Sequence, residues 1–261
     1  MIKPVGSDEL RPLFVYDPDK HHELMHEAES LPSVVITSQA AGNAVMMGAG
    51  YFNPLKGFMN VADAMGAAQK MTLTDGSFFP VPVMCLVEST DAIGDAKRIA
   101  LRDPNVEGNP ILAIQDVEAI EEATDEQMKH ITEKVYRTLD MNHPGVKAFN
   151  TVGDTLISGP ITVLNFSYFD KEFPETFRTA YQIRAEMEKM GLSHVMVVPT
   201  AFPTVAAHTM WHVAVPAVGR PVTAEEGTVV HERDSGMQVY YSALGYADLE
   251  AGGEYFRDGL E

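Results

Sequence analysis

Apolar and polar positions change their period several times along the chain. HHELMHEAESL, His21 to Leu31, spaces its apolar residues as one face of a short surface helix. SVVITSQAAGNAVMMGAGYF then passes from a strand into a segment punctuated by glycine. MNVADAMGAAQKM, Met59 to Met71, has the Ala/Met spacing of a packed helix whose methionines fill core. Short strand candidates follow in FFPVPVMCLVE (Phe78 to Glu88), RIALRD (Arg98 to Asp103), NPILAIQDVEAI (Asn109 to Ile120) and TLISGPITVLNF (Thr155 to Phe166). Turn-rich DG, GD and EGNP segments separate them. DEQMKHITEKVYRTL, Asp125 to Leu139, is an amphipathic helix with Asp125 at its positive dipole end. Strands dominating up to about Phe166 predict a small β-barrel with helical insertions.

Beyond Phe166 the pattern is different. FPETFRTAYQIRAEMEKMGL, Phe173 to Leu192, predicts a helix that starts after Pro174 and ends at Gly191. VVPTAFPTVAAHTM, Val197 to Met210, follows as a buried strand, a tight turn and the start of a helix. That order opens an α/β unit on a parallel sheet. The expected division is therefore residues 1–168 and residues 169–261, with the boundary in SYFDKEF. After Met210 the chain is rich in Pro, Gly and charge. The second domain is expected to be a truncated α/β fold, making the whole chain α+β.

Charge narrows the set of functions. The chain has 19 basic and 37 acidic residues, a formal net charge of −18, which argues against nonspecific nucleic-acid binding, where cations supply most of the affinity. From His194 onward only Arg220, Arg233 and Arg257 are cationic, a poor supply for holding a triphosphate. No apolar run reaches the length of a helical membrane span, and MIKPVGSDELRPLF has no signal-peptide core, so neither a membrane nor secretion is expected. The single Cys85 suits a reducing compartment, and the expected location is the cytoplasm.

Several side chains invite a chemical reading and a plainer one. The histidines of HHELMHEAESL could bind a metal, but nothing fixes a site geometry, and solvated helix polarity is the reading taken. His208 and His212 lie four residues apart on TVAAHTMWHVAV, a chelating interval that lacks an evident third ligand. No metal-binding residue is therefore assigned. Lys97, Arg98 and Arg102 could form a small anion site or simply the wet face of a barrel strand. Cys85 is read as inert core, and Asn53, Pro54, His143 and Pro144 as turn formers.

Five segments in order carry a more specific signal. GAGYFNPLKGFM, DGSFFPVPV, ALRDPNVEGNPILAI, VYRTLDMNHPGVK and SGPITVL resemble ATP sulfurylase, the sulfate adenylyltransferase family, in its bacterial sulfur-oxidiser form. The resemblance runs from Met1 to about Gly191. It implies a PUA-like β-barrel domain followed by a Rossmann-like nucleotidyltransferase domain. It also implies a homodimer with ATP and sulfate as substrates and Mg²⁺ accompanying ATP. The family's reaction gives adenosine 5′-phosphosulfate and pyrophosphate by attack of a sulfate oxygen on the α-phosphorus. Positioning and charge stabilisation carry such chemistry.

The same resemblance gives the strand–turn–helix at Val197 to Met210 its meaning. A helix N-terminus after a strand collects anions through free N–H groups and the dipole. The family places Gln-Thr-Arg-Asn-Pro and then His-x-x-His there. Aligned without gaps, Gln falls on Pro199, Arg on Ala201, Asn on Phe202 and the first His on Val205, while Thr200, Pro203 and His208 are kept. Thr200 and His208 are thus the substrate-binding candidates, and His208 the catalytic one. Losing a single oxyanion-type donor can cost roughly 10²–10³ in rate. The expectation is a family member that is impaired or inactive. The alternative is a non-catalytic paralogue or partner subunit that binds through its PUA-like domain.

Overall fold

The structure, a computed structural model, describes residues 4, 8–174, 177–189, 191, 229–231 and 238–240. They fall into two compact units, one ending at Tyr168 and the other beginning at Phe169.

Helix α1 (Pro18–Ser30) opens the first unit, with Pro18 at its first position and the Asp17 side chain accepting from Lys20 N. Strand β1 (Ser33–Val35) leads into α2 (Ser38–Gly48), capped by the Thr37 hydroxyl. The sequence pattern did not reveal α2, because Gly42, Gly48 and Gly50 read as loop punctuation. Its face of Ala40, Ala41, Ala44 and Val45 is buried, and a Cβ at Gly48 would lie 2.8 Å from Val163 Cγ1. The glycine is there for close packing of helix on strand.

Strand β2 (Gly57–Phe58) precedes α3 (Val61–Lys70), which matches the expected Ala/Met helix and stops at Met71 in the left-handed conformation. Of Phe78 to Glu88 only β3 (Leu86–Val87) is regular strand; prolines 80 and 82 lack the N–H a ladder needs. Strands β4 (Arg98–Arg102), β5 (Ile111–Asp116) and β6 (Ala119–Glu122) follow as expected, with the 109–120 candidate broken into two by Val117 and Glu118. Helix α4 (Asp125–Tyr136) carries a complete capping box between Thr124 and Gln127. A short α5 (Pro144–Asn150) starts from His143, whose ring accepts from Val146 N, so the His-Pro turn is a helix cap.

The longest strand, β7 (Thr155–Val163), organises the sheet. Its first half pairs antiparallel with β3 and β6, and its second half with β2 and β5. Gly159, at φ 134, sits where the partners change, and Pro160 follows it. The Gly-Pro pair bends the strand so that one segment serves two sides of a partly closed sheet. Strands β5 and β4 continue the sheet, and β1 closes its edge in parallel with β4. Phe14 forms a bridge to Val163 and stacks on Phe166, with ring centroids 4.3 Å apart. The core behind this sheet holds Ile99, Leu101, Leu112, Ile114, Leu156 and Ile157, all fully buried.

The second unit begins with α6 (Phe169–Glu172) and α7 (Ala180–Lys189). Helix α7 starts six residues later than Pro174 suggested, because Thr179 and Gln182 exchange side-chain-to-backbone hydrogen bonds and fix the start there. Gly191 adopts φ 66, the left-handed geometry expected of a helix stop. A hairpin of β8 (Val229–His231) and β9 (Gln238–Tyr240) completes the described residues. Among them, no helix is long and apolar enough to cross a membrane.

Candidate functional site

The residues singled out for substrate, Thr200 and His208, lie outside the described residues, as do His212 and Arg220. What the structure describes is the approach to that segment. Just before α7, Arg178 donates through Nε to Glu186 Oε1 at 3.1 Å and through Nη1 to Phe177 O. Two of its guanidinium nitrogens are thus engaged by its own local segment, Glu186 on α7 and the Phe177 carbonyl just before it. Arg184, on α7, also has interactions of its own.

The remaining charged candidates are drawn apart by their own partners. Arg98 pairs with Glu27 at 3.2 Å and with Asp116 at 3.5 Å. Arg102 donates to Ser33 Oγ and to Asn109 O, tying β1 and the DPNVEGNP turn to β4. The two arginines brace the sheet edge and do not converge with Lys97 on an anion. His21 donates through Nε2 to Leu164 O, so at least one of the α1 histidines is a structural tie. Among the described residues, no group of three His, Cys, Asp or Glu side chains is placed to hold a metal ion.

The motif residues turn out to be builders of backbone. The Asn53–Pro54 peptide bond is cis, and Asn53 Oδ1 accepts from Arg11 N. In DGSFFPVPV, Asp75 accepts from Ser77 N, which holds its carboxyl below the usual carboxylate range. In RDPNVEGNP, Asp103 is fully buried; its Oδ1 accepts from Asn105 N, while its peptide N donates to Pro110 O. Cys85, also fully buried, has its thiol pushed up to about 12 by loss of solvation. A thiol with that pKa is neither nucleophile nor metal ligand at neutral pH.

Sequence reasoning missed a recess on the first unit. Thr37, Gln39 and Asn43 of the α2 start line one side, and Met84, Leu86 and Phe149 line the other. Only the helix that the glycines concealed brings Gln39 and Asn43 onto a common face, four residues apart.

A family model for the PUA-like domain matches residues 2–166, well over half of the chain. The chain belongs to the PUA-like domain family. The partly closed sheet centred on β7 is this PUA-like domain, and the α+β class follows from it. Curated relatives extend the match. The sulfate adenylyltransferase of Allochromatium vinosum is 61% identical over 232 residues, covering 88% of this chain and 57% of that protein. That of the Riftia pachyptila sulfur-oxidizing endosymbiont is 67% identical over 208 residues, covering 80% and 47%. The sulfate adenylyltransferase of Alcanivorax borkumensis is 53% identical, covering 80% and 52%. The resemblance read from the five motifs therefore holds, and the chain spans about half the length of the curated relatives it matches. A solved structure titled as the hexameric APS kinase from Thiobacillus denitrificans superposes with a TM-score of 0.61. It covers 84% of this chain and 37% of that one at 23% identity, a likeness of fold alone.

Proposed function

We propose that this chain is a sulfate adenylyltransferase-type protein whose own transfer of an adenylyl group to sulfate is impaired. The observation that carries the family half of this reading is the 61% identity to the relative of that name across 88% of the chain. The impairment is supported by the Val197 to Met210 segment, where Pro199, Ala201, Phe202 and Val205 stand at the positions aligned with Gln, Arg, Asn and His. Sulfate is held by charge-assisted hydrogen bonds worth about 1.5–3 kcal/mol each. Pro199 and Ala201 offer no side-chain donor, and Pro199 has no backbone N–H either. Arg178, on the described side of that segment, is already engaged by Glu186.

In this reading the segment from Phe169 onward is the remnant of a Rossmann-like domain. ATP and sulfate are the ancestral substrates, with Mg²⁺ arriving on the ATP phosphates and a homodimer as the working assembly. Thr200 and His208 are what remains to touch substrate. The domain of residues 2–166 keeps its packing and is the part available for binding a partner.

The test is formation of ATP from adenosine 5′-phosphosulfate and pyrophosphate with Mg²⁺, run on the full chain beside His208→Ala. The expected result is turnover at background in a folded sample, with no further loss in the variant. Turnover that collapses in His208→Ala would refute the impairment and make His208 the working residue.

A further inference from the structure

Helix α1 supplies the geometry that its histidines lack in the sequence, and none of its residues takes part in the function proposed above. Its inner face buries Leu24 and Ala28 in one cluster with Ala100, Ile111, Ile114 and Leu164. At the pitch of an α-helix, Asp19, His22, His26 and Glu29 fall within about 80° of one another on the opposite face. All four are exposed, and among the described residues none of them has a hydrogen-bond or ion-pair partner. Their neighbours on α1 are already engaged. His21 is tied to Leu164 O, Lys20 pairs with Glu23, and Glu27 pairs with Arg98.

Residues four apart on a helix have Cβ atoms about 5–6 Å from each other, and two imidazoles at that interval reach a single ion. Neutral imidazole suits borderline divalent metals, and affinity for such nitrogen ligands rises along the first-row series to Cu²⁺. Among the described residues no third His, Cys, Asp or Glu stands with the pair, so the two imidazoles are the whole chelate on the protein side. The other positions are open to water, which fits the tetragonal nitrogen-and-oxygen geometry of Cu²⁺. Asp19 and Glu29, one turn to either side, make the local field negative, and the chain's net charge of −18 acts in the same sense. We propose that His22 and His26 form a surface chelate for a borderline divalent transition-metal ion, Cu²⁺ foremost. The bound ion clips one turn of the helix whose other face closes the core cluster around Leu24 and Ala28.

The probe is Cu²⁺ itself, titrated from a glycine-buffered stock into the full chain and followed by paramagnetic broadening of assigned backbone amides. Amides around His22 and His26 are expected to broaden first, at substoichiometric metal. His22→Ala and His26→Ala should each weaken that binding by about 10²-fold, the low end of what linking two ligands gains. Neither imidazole has a partner to lose and alanine is the better helix former, so both variants should fold as the parent does. His208 and His212 share the same interval in the sequence, so a His208→Ala/His212→Ala variant runs beside them and should keep the α1 broadening unchanged. Mn²⁺, lowest in the affinity series and suited to carboxylates, separates the imidazole chelate from simple attraction to Asp19 and Glu29. Equal broadening of α1 by Mn²⁺ would overturn the proposal. So would broadening that begins elsewhere, or a loss of less than about tenfold in either single α1 variant.

Discussion

Replacing Gly57 by alanine should unlock β2 from β7, and the cost can be worked from the geometry. An added Cβ would lie 2.0 Å from Gly159 O, 2.7 Å from Pro160 Cα and 2.8 Å from Gly159 C, all backbone. No side-chain rotamer can relieve that, so the strands must separate by an ångström or more. The pairs Gly57–Pro160 and Phe58–Gly159 are then lost, along with the 2.9 Å bond from Ile161 N to Lys56 O. Two or three net hydrogen bonds at about 1 kcal/mol each, plus partial exposure of Phe58, now 4% exposed, bring the penalty to about 3–5 kcal/mol. At 2–4 °C per kcal/mol the unfolding midpoint should fall by roughly 6–20 °C. Two sister substitutions separate packing from conformation. Gly108 has φ 82 with nothing within 4 Å of its Cβ position, so alanine there costs only the left-handed strain, about 1–2 kcal/mol. Gly42 lies inside α2 with open space around it, and alanine should gain about 0.5–1 kcal/mol. Calorimetry of the full chain should therefore rank the midpoints Gly42→Ala, parent, Gly108→Ala, Gly57→Ala. A Gly57→Ala midpoint at or above that of Gly108→Ala would refute the wedging of β2 against β7.

Other expectations follow from single sites. Thr124→Ala removes the hydroxyl that accepts from Gln127 N and should cost about 1 kcal/mol in urea unfolding, with Thr124→Ser restoring most of it. Cys85 should not react with a thiol reagent at pH 8 until the protein is unfolded, because its thiol is buried and its pKa is pushed up to about 12. The sign for stability follows from the same shift. The folded thiol titrates above the unfolded value of 9.0, so its contribution is complete below pH 9 and is lost above it at up to about 1.4 kcal/mol per unit. Cys85→Ala should flatten the stability profile of the parent above pH 9, and an unchanged slope would show that the thiol is not the source.

Local pattern determined much of this protein. The Ala/Met run at 59–71, the amphipathic stretch from Asp125 and the alternation in RIALRD and NPILAIQD carry their own periods, and each forms the element its period requires. The five family motifs were legible too, since each is a run of residues that reads the same without coordinates. Tertiary structure decided the rest. Gly42 and Gly48 look like breaks in a loop until Val163 is seen packed against Gly48, which makes the glycine a requirement of helix-on-strand contact. TLISGPITV looks like one strand, but only its four partners show that Gly159 bends it to serve two sides of the sheet. Arg98 and Arg102 alternate along β4 in a pattern that fits an anion site. Glu27 and Asp116 engage the first, Ser33 and Asn109 the second, and all four partners lie at least seven residues away. The recess between Asn43 and Phe149 joins positions more than a hundred residues apart. Periodicity reports how a segment meets its neighbours on average, whereas a cavity or an occupied guanidinium depends on which neighbour arrives.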